Sequence, residues 1–155
     1  MNNSDVLRNI RFTFDLNDDK MMKMCSFEDY NASRAEISAW LKRDEDPDFI
    51  EIPDRNLSIF LNSFIEKKRG KKEGVVMQPD KYLNNNVILR KLKIALNLKV
   101  EDMVEIFKYV GMRVSPHEIS AFFRKPDQRQ YRKCMDQFLR KFLHGIQIKY
   151  KGAIE

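Results

Sequence analysis

Sliding the chain by 82 positions lays residues 5–70 on residues 87–152 without a gap, and this self-similarity constrains the fold more than any other feature. Fifteen of the 66 pairs are identical. They include Leu7/Leu89, Arg8/Arg90, Ser33/Ser115, Glu36/Glu118, Phe60/Phe142 and Gly70/Gly152, and the run Ile37-Ser38-Ala39 against Ile119-Ser120-Ala121. Others exchange like for like, as in Ile10/Leu92, Trp40/Phe122 and Phe49/Tyr131. One local architecture must therefore satisfy both halves.

Each half reads as four helices. The first is expected to start after Ser4 or Asn86, with Val6, Leu7, Ile10 and Phe14, or Leu89, Leu92 and Leu96, at three-and-four spacing. The second carries Met21, Met24 and Cys25, or Met103, Ile106 and Phe107. Its first turn holds Asp18 and Asp19, or Glu101 and Asp102, at the positive end of the helix dipole. Ser33-Arg34-Ala35-Glu36 and Ser115-Pro116-His117-Glu118 are capping boxes that open the third helix. The fourth begins near Asp54 or Asp136 and ends in cations followed by Gly70 or Gly152. Five glycines and five prolines suit helices with short connections. The expected fold is all-α: two tandem four-helix units, 5–70 and 87–152, joined by a linker over 71–86 and packed into one helical body. Helices 2 and 3 of each unit have helix-turn-helix-like lengths.

Four stretches carry a resemblance. Trp40-Leu41-Lys42-Arg43-Asp44-Glu45, Lys67-Lys68-Arg69-Gly70-Lys71, Asn84-Asn85-Asn86 running on to Leu98, and Asp136-Gln137-Phe138-Leu139-Arg140 make the chain similar to the YehS-like family of small bacterial proteins. The likeness spans essentially the whole sequence. It implies a duplicated domain and a bacterial origin, and no catalytic or binding residue to carry over.

Chemistry-bearing patterns are sparse. His117 and His144 stand apart from Cys25 and Cys134, and no pair has metal-ligand spacing, so neither metal nor cofactor is expected. The acidic run Asp44-Glu45-Asp46-Pro47-Asp48 alternates carboxylates as a calcium loop does. It has Phe49 where such a loop needs glycine and Arg55 where it needs glutamate, and reads as a solvated turn. No nucleophile elbow or phosphate-cradling glycine loop occurs, so a non-enzymatic protein is expected. With no secretory signal at Met1–Asp5 and no membrane span, the cytoplasm is the expected location and the two cysteines are expected to be reduced.

Charge is the feature left over. Residues 5–70 hold 11 basic and 14 acidic side chains, net −3, whereas residues 87–152 hold 15 and 6, net +9. Two functions follow. The first is a protein-interaction or self-assembling module that uses the outward face of the third helix. There Ala39 and Ala121 would allow close approach of a partner, beside Lys42. The alternative is nucleic-acid binding by the basic second unit through Arg113, His117, Arg124, Lys125, Arg132 and Lys133, since cations on phosphates supply affinity without reading sequence.

Overall fold

The structure is a computed structural model that describes residues 1–152. Eight α-helices are present among them, and no strand beyond an isolated pairing of Phe27 with Tyr30. The first compact unit, Met1–Leu83, contains α1 (Asn3–Thr13), α2 (Asp18–Met24), α3 (Arg34–Leu41) and α4 (Asp54–Arg69). The second, from Asn84 onward, contains α5 (Asn85–Ala95), α6 (Val100–Tyr109), α7 (Pro116–Phe122) and α8 (Asp136–Lys151).

Both units obey the same local rules. Ser33 and Ser115 accept from the N–H of Glu36 and Glu118, whose carboxylates return to the serine N–H groups, so both expected capping boxes are present. The turns into α2 and α6 pass through Asp15 and Asn97, equivalent positions with φ of 52°, the left-handed region that these two residue types tolerate best. α4 and α8 end at Gly70 and Gly152 with φ of 85° and 86°.

The first helices start two residues earlier than the sequence suggests. Asn2 and Asn84 are the caps, and their side chains accept from the N–H of Asp5 and Val87. Ser4 and Asn86 lie inside the helices and are buried, because their polar atoms are needed elsewhere. Ser4 Oγ accepts from the N–H of Ile52; Asn86 accepts from the N–H of Cys134, the matching bond. Asn3 and Asn85 repeat a second clasp. Each donates to the backbone carbonyl of Ile52 or Cys134 and to the carboxylate of Asp54 or Asp136. The start of the first helix is thereby pinned to the loop that enters the fourth. Residues 78–83, read as linker in the sequence, are held on α4: Ser58 donates to Asp80 at 2.8 Å, and Asp54 accepts from the N–H of Leu83.

The cores are built from the shared apolar positions. In the first unit Leu7, Ile10, Met21, Ile37, Trp40, Leu57 and Phe60 are buried, and in the second Leu89, Leu92, Met103, Ile119, Phe122, Leu139 and Phe142. Each such side chain contributes about 1.5–3 kcal/mol by leaving water. α6 packs on α7 and α8, and Phe107 meets Phe142 and Phe138 at centroid distances of 5.8 and 6.4 Å. In α1 the buried hydroxyl of Thr13 has no hydrogen-bond partner, where the second unit has Ala95. Thr13→Val keeps the shape and removes that orphan, so it should stabilise the chain by about 1 kcal/mol in urea unfolding. A lower midpoint would mean that the hydroxyl is satisfied in solution.

Candidate nucleic-acid interface

Five of the fifteen basic residues of 87–152 lie on the segment between α7 and α8, residues 123–135. Its path is set from inside. The N–H of Arg132 donates to the carbonyl of Ala121 at 3.1 Å, and Asn86 donates to the carbonyls of Phe122 and Arg132 while accepting from Cys134 N–H. The first unit makes the equivalent return bond, Ile50 N–H to the Ala39 carbonyl at 3.2 Å.

That return bond corrects the expectation for helix 3. Ala121 does not face outward: it is buried at 6% exposure, beneath its own returning loop. Ala39 is half-buried, as is Lys42 at the C-cap of α3. The small side chain common to both units is explained by close passage of a backbone strand rather than by a partner helix. α3 and α7 are also shorter than expected, eight and seven residues. α7 follows α6 only after residues 110–115, and His117 is exposed in its first turn.

The other expected contacts divide in the same way. Lys125 and Lys133 are exposed on the loop, and Arg124 is half-buried, donating to the side-chain oxygen of Gln130. Arg113 is exposed, in a shallow depression with Lys108, Val114, Ser115 and Glu118. Arg132 is engaged internally. Its guanidinium meets Glu118 at 2.7 Å and lies over the rings of Phe138 and Phe122, 4.8 and 5.6 Å from their centroids. The hydrogen bond from Arg132, with that from Ser115 N–H, holds the Glu118 carboxyl below its ordinary range. Glu36, with Ser33 N–H and the Tyr30 hydroxyl as donors, is lowered too.

Two cations absent from the expected set complete the surface. Arg90, exposed on α5, donates to the carbonyl of Phe123 at 3.4 Å, and the Lys93 ammonium lies 5.5 Å from the Phe123 ring centroid. Arg124 follows Phe123 in the chain and opens a shallow cleft of about 370 Å³ lined with Gln128, Arg129 and Gln130. The repeat itself carried the signal: Arg8/Arg90, Arg11/Lys93 and Lys42/Arg124 keep a cation at all three positions in both units.

No group of three or more metal-ligating side chains occurs among the described residues. Cys25 and Cys134 are buried free thiols, and burial pushes both up to about 12, away from nucleophilic use. No helix among the described residues is long and apolar enough to cross a membrane.

Comparison with known proteins agrees with this duplicated plan. The family described as "Protein of unknown function (DUF1456)" matches twice, over residues 2–70 and 85–152. The "Uncharacterized protein YehS" of Escherichia coli (strain K12) is 38% identical over 147 residues, covering 94% of each chain. No solved structure matches. Two family segments in tandem, each with its own capped helices and clasped loop, place the chain in the DUF1456 family of proteins of unknown function.

Proposed function

We propose that this is a non-enzymatic nucleic-acid-binding protein whose second unit grips the phosphate backbone. The observation that carries the reading is the inversion of charge on one equivalent loop. Residues 42–53 hold two basic and five acidic side chains, net −3, whereas residues 124–135 hold five and one, net +4. Lys125, Arg129 and Lys133 are exposed there with no ion-pair partner among the described residues. α7 offers His117 and little else to a base edge, so the affinity is electrostatic and tolerant of sequence.

Mobility shifts of duplex DNA and of a single-stranded RNA test this. Complexes should form at about 50 mM salt and weaken steeply by about 200 mM, with a log–log slope of about −3 or steeper, for at least about three phosphate contacts. The triple variant Lys125→Glu, Arg129→Glu, Lys133→Glu should bind both far more weakly. Failure of the wild-type chain to shift DNA or RNA at low salt removes the reading.

A second reading, self-association, is favoured by the same contrast, since an acidic loop on one chain complements a basic loop on another. Light scattering without nucleic acid at about 50 mM salt separates the two. A mass of two or more chains that falls to one on adding salt assigns the basic loop to a second copy.

A further inference from the structure

We infer that the second unit holds a phosphodiester oxyanion among Arg90, Lys93 and Arg124, because the counterparts of the first two, Arg8 and Arg11, are neutralised internally in the first unit. This rests on the nucleic-acid reading and adds a second group of phosphate contacts to the exposed Lys125, Arg129 and Lys133.

The comparison between the units carries the inference. In the first unit Arg8 meets Asp44 at 2.6 Å and Asp5 at 3.0 Å, and Arg11 meets Asp18 at 3.9 Å. The second unit keeps all three cations, as Arg90, Lys93 and Arg124 for Arg8, Arg11 and Lys42. It keeps none of the carboxylates: Val87 stands for Asp5, Val100 for Asp18 and Pro126 for Asp44. Drift of surface composition would scatter such losses. Here they remove each carboxylate that pairs with Arg8 or Arg11 and leave the cations in place.

Geometry places two of the three on one residue and the third next to that residue in the chain. Arg90 and Lys93 both reach Phe123, one its carbonyl and the other its ring, and Arg124 is the next residue. Like charges held near one another repel, and among the described residues no carboxylate forms an ion pair with Arg90, Lys93 or Arg124. An anion supplied from outside relieves that repulsion. Guanidinium groups match the paired oxygens of a phosphate, and the Phe123 ring beside them offers an apolar wall for a sugar or base. The acidic copy, closed on itself, is the built-in control.

The test restores the missing counter-ions without removing a cation. In the full-length chain, Val100→Asp with Pro126→Asp re-creates the partners that Arg11 and Arg8 have in the first unit. Both positions are at or beside surface loops, and aspartate suits the first turn of α6. Nucleic-acid affinity should fall and the salt slope should lose about two contacts. The matched variant Val100→Asn, Pro126→Asn should bind as wild type, which separates charge from folding. A variant with the same change of net charge elsewhere, Lys108→Ala with Lys149→Ala, should lose much less. Equal losses in the two charge-changed proteins would overturn the site while leaving the nucleic-acid reading intact. The converse is also visible. Amide shifts at Arg90, Lys93 and Arg124 on titration with inorganic pyrophosphate, in a chain that ignores DNA and RNA, would keep the anion site and discard nucleic acid as its source. No shift with either ligand overturns the inference.

Discussion

Gly145→Ala should destabilise the second unit by about 3 kcal/mol or more, although helix propensity alone argues for the opposite sign. Gly145 lies inside α8, a 16-residue helix, where alanine is ordinarily preferred to glycine by about 1 kcal/mol. The residue is buried against α6. A Cβ built there meets the Ile106 side chain at 2.5 Å and the Ile106 carbonyl oxygen at 2.5 Å. A methyl at the end of a flexible side chain can swing away; a carbonyl of the α6 backbone cannot. Relief requires α6 to move off α8, and this contact includes the buried rings of Phe107 and Phe142. Over-packing of a close-packed core costs typically about 1–3 kcal/mol, and a backbone clash belongs at or above the upper end. Urea unfolding of the full chain, with amide exchange to report α6 and α8 separately, reads the effect. An alanine variant as stable as wild type would mean that α6 and α8 are less tightly apposed than described. The first unit has Ser63 at this position, half-buried and lining a depression with Ser26 and Phe27, which follow α2.

Gly145 also marks where reading the sequence stops. A repeat comparison shows the exchange of serine for glycine but not that a carbonyl lies over one of them, since that depends on the distance between two helices remote in sequence. Periodicity and caps are local, and they located α3, α4, α7 and α8 at their observed starts. The starts of α1 and α5 were obscured because Ser4 and Asn86 are good capping residue types with a different task. Whether such a side chain caps a helix or reaches across to another loop is a tertiary matter. The identical pairs Asn2/Asn84 and Asn3/Asn85 lie just outside the span first aligned, and extending it would have pointed to the caps and the clasp. The candidate interface divided likewise. Net charge singled out the second unit correctly as the basic one, yet charge alone could not separate Lys125, exposed, from Arg132, committed to Glu118 and two rings. Ala121 was misplaced for the same reason: a small residue common to both units fits an external contact or an internal one, and the return bond from Arg132 makes it internal.

Asn86 should be the costliest single polar residue to lose. Its amide lies 5% exposed and makes three bonds at once: it accepts from Cys134 N–H at 2.9 Å and donates to the carbonyls of Phe122 at 3.0 Å and Arg132 at 2.9 Å. These join α5, the end of α7 and the loop before α8, so the residue sets the path of the segment that carries Lys125, Arg129 and Lys133. Asn86→Leu offers no acceptor and no donor. A buried group left unsatisfied costs about 1–3 kcal/mol, so with relaxation and some water entry the loss should be about 3–5 kcal/mol. Asn86→Ser is the informative intermediate, because serine is what the first unit carries at this place. Ser4 takes the N–H of Ile52 at 3.1 Å, the counterpart of the Cys134 bond. The serine variant should therefore recover the Cys134 bond, leave the two carbonyls short of a donor, and lose about 1–2 kcal/mol. Exchange of the Cys134 amide distinguishes the two variants independently of midpoint: protected in wild type and in the serine variant, fast in the leucine variant. If serine matched asparagine in stability, the carbonyls of Phe122 and Arg132 would not depend on this side chain, and the loop would owe its shape to the Arg132–Ala121 return bond alone. Because that loop also carries the basic surface, the serine variant should weaken nucleic-acid binding only where it loosens the loop, which makes amide exchange and affinity two readings of one constraint.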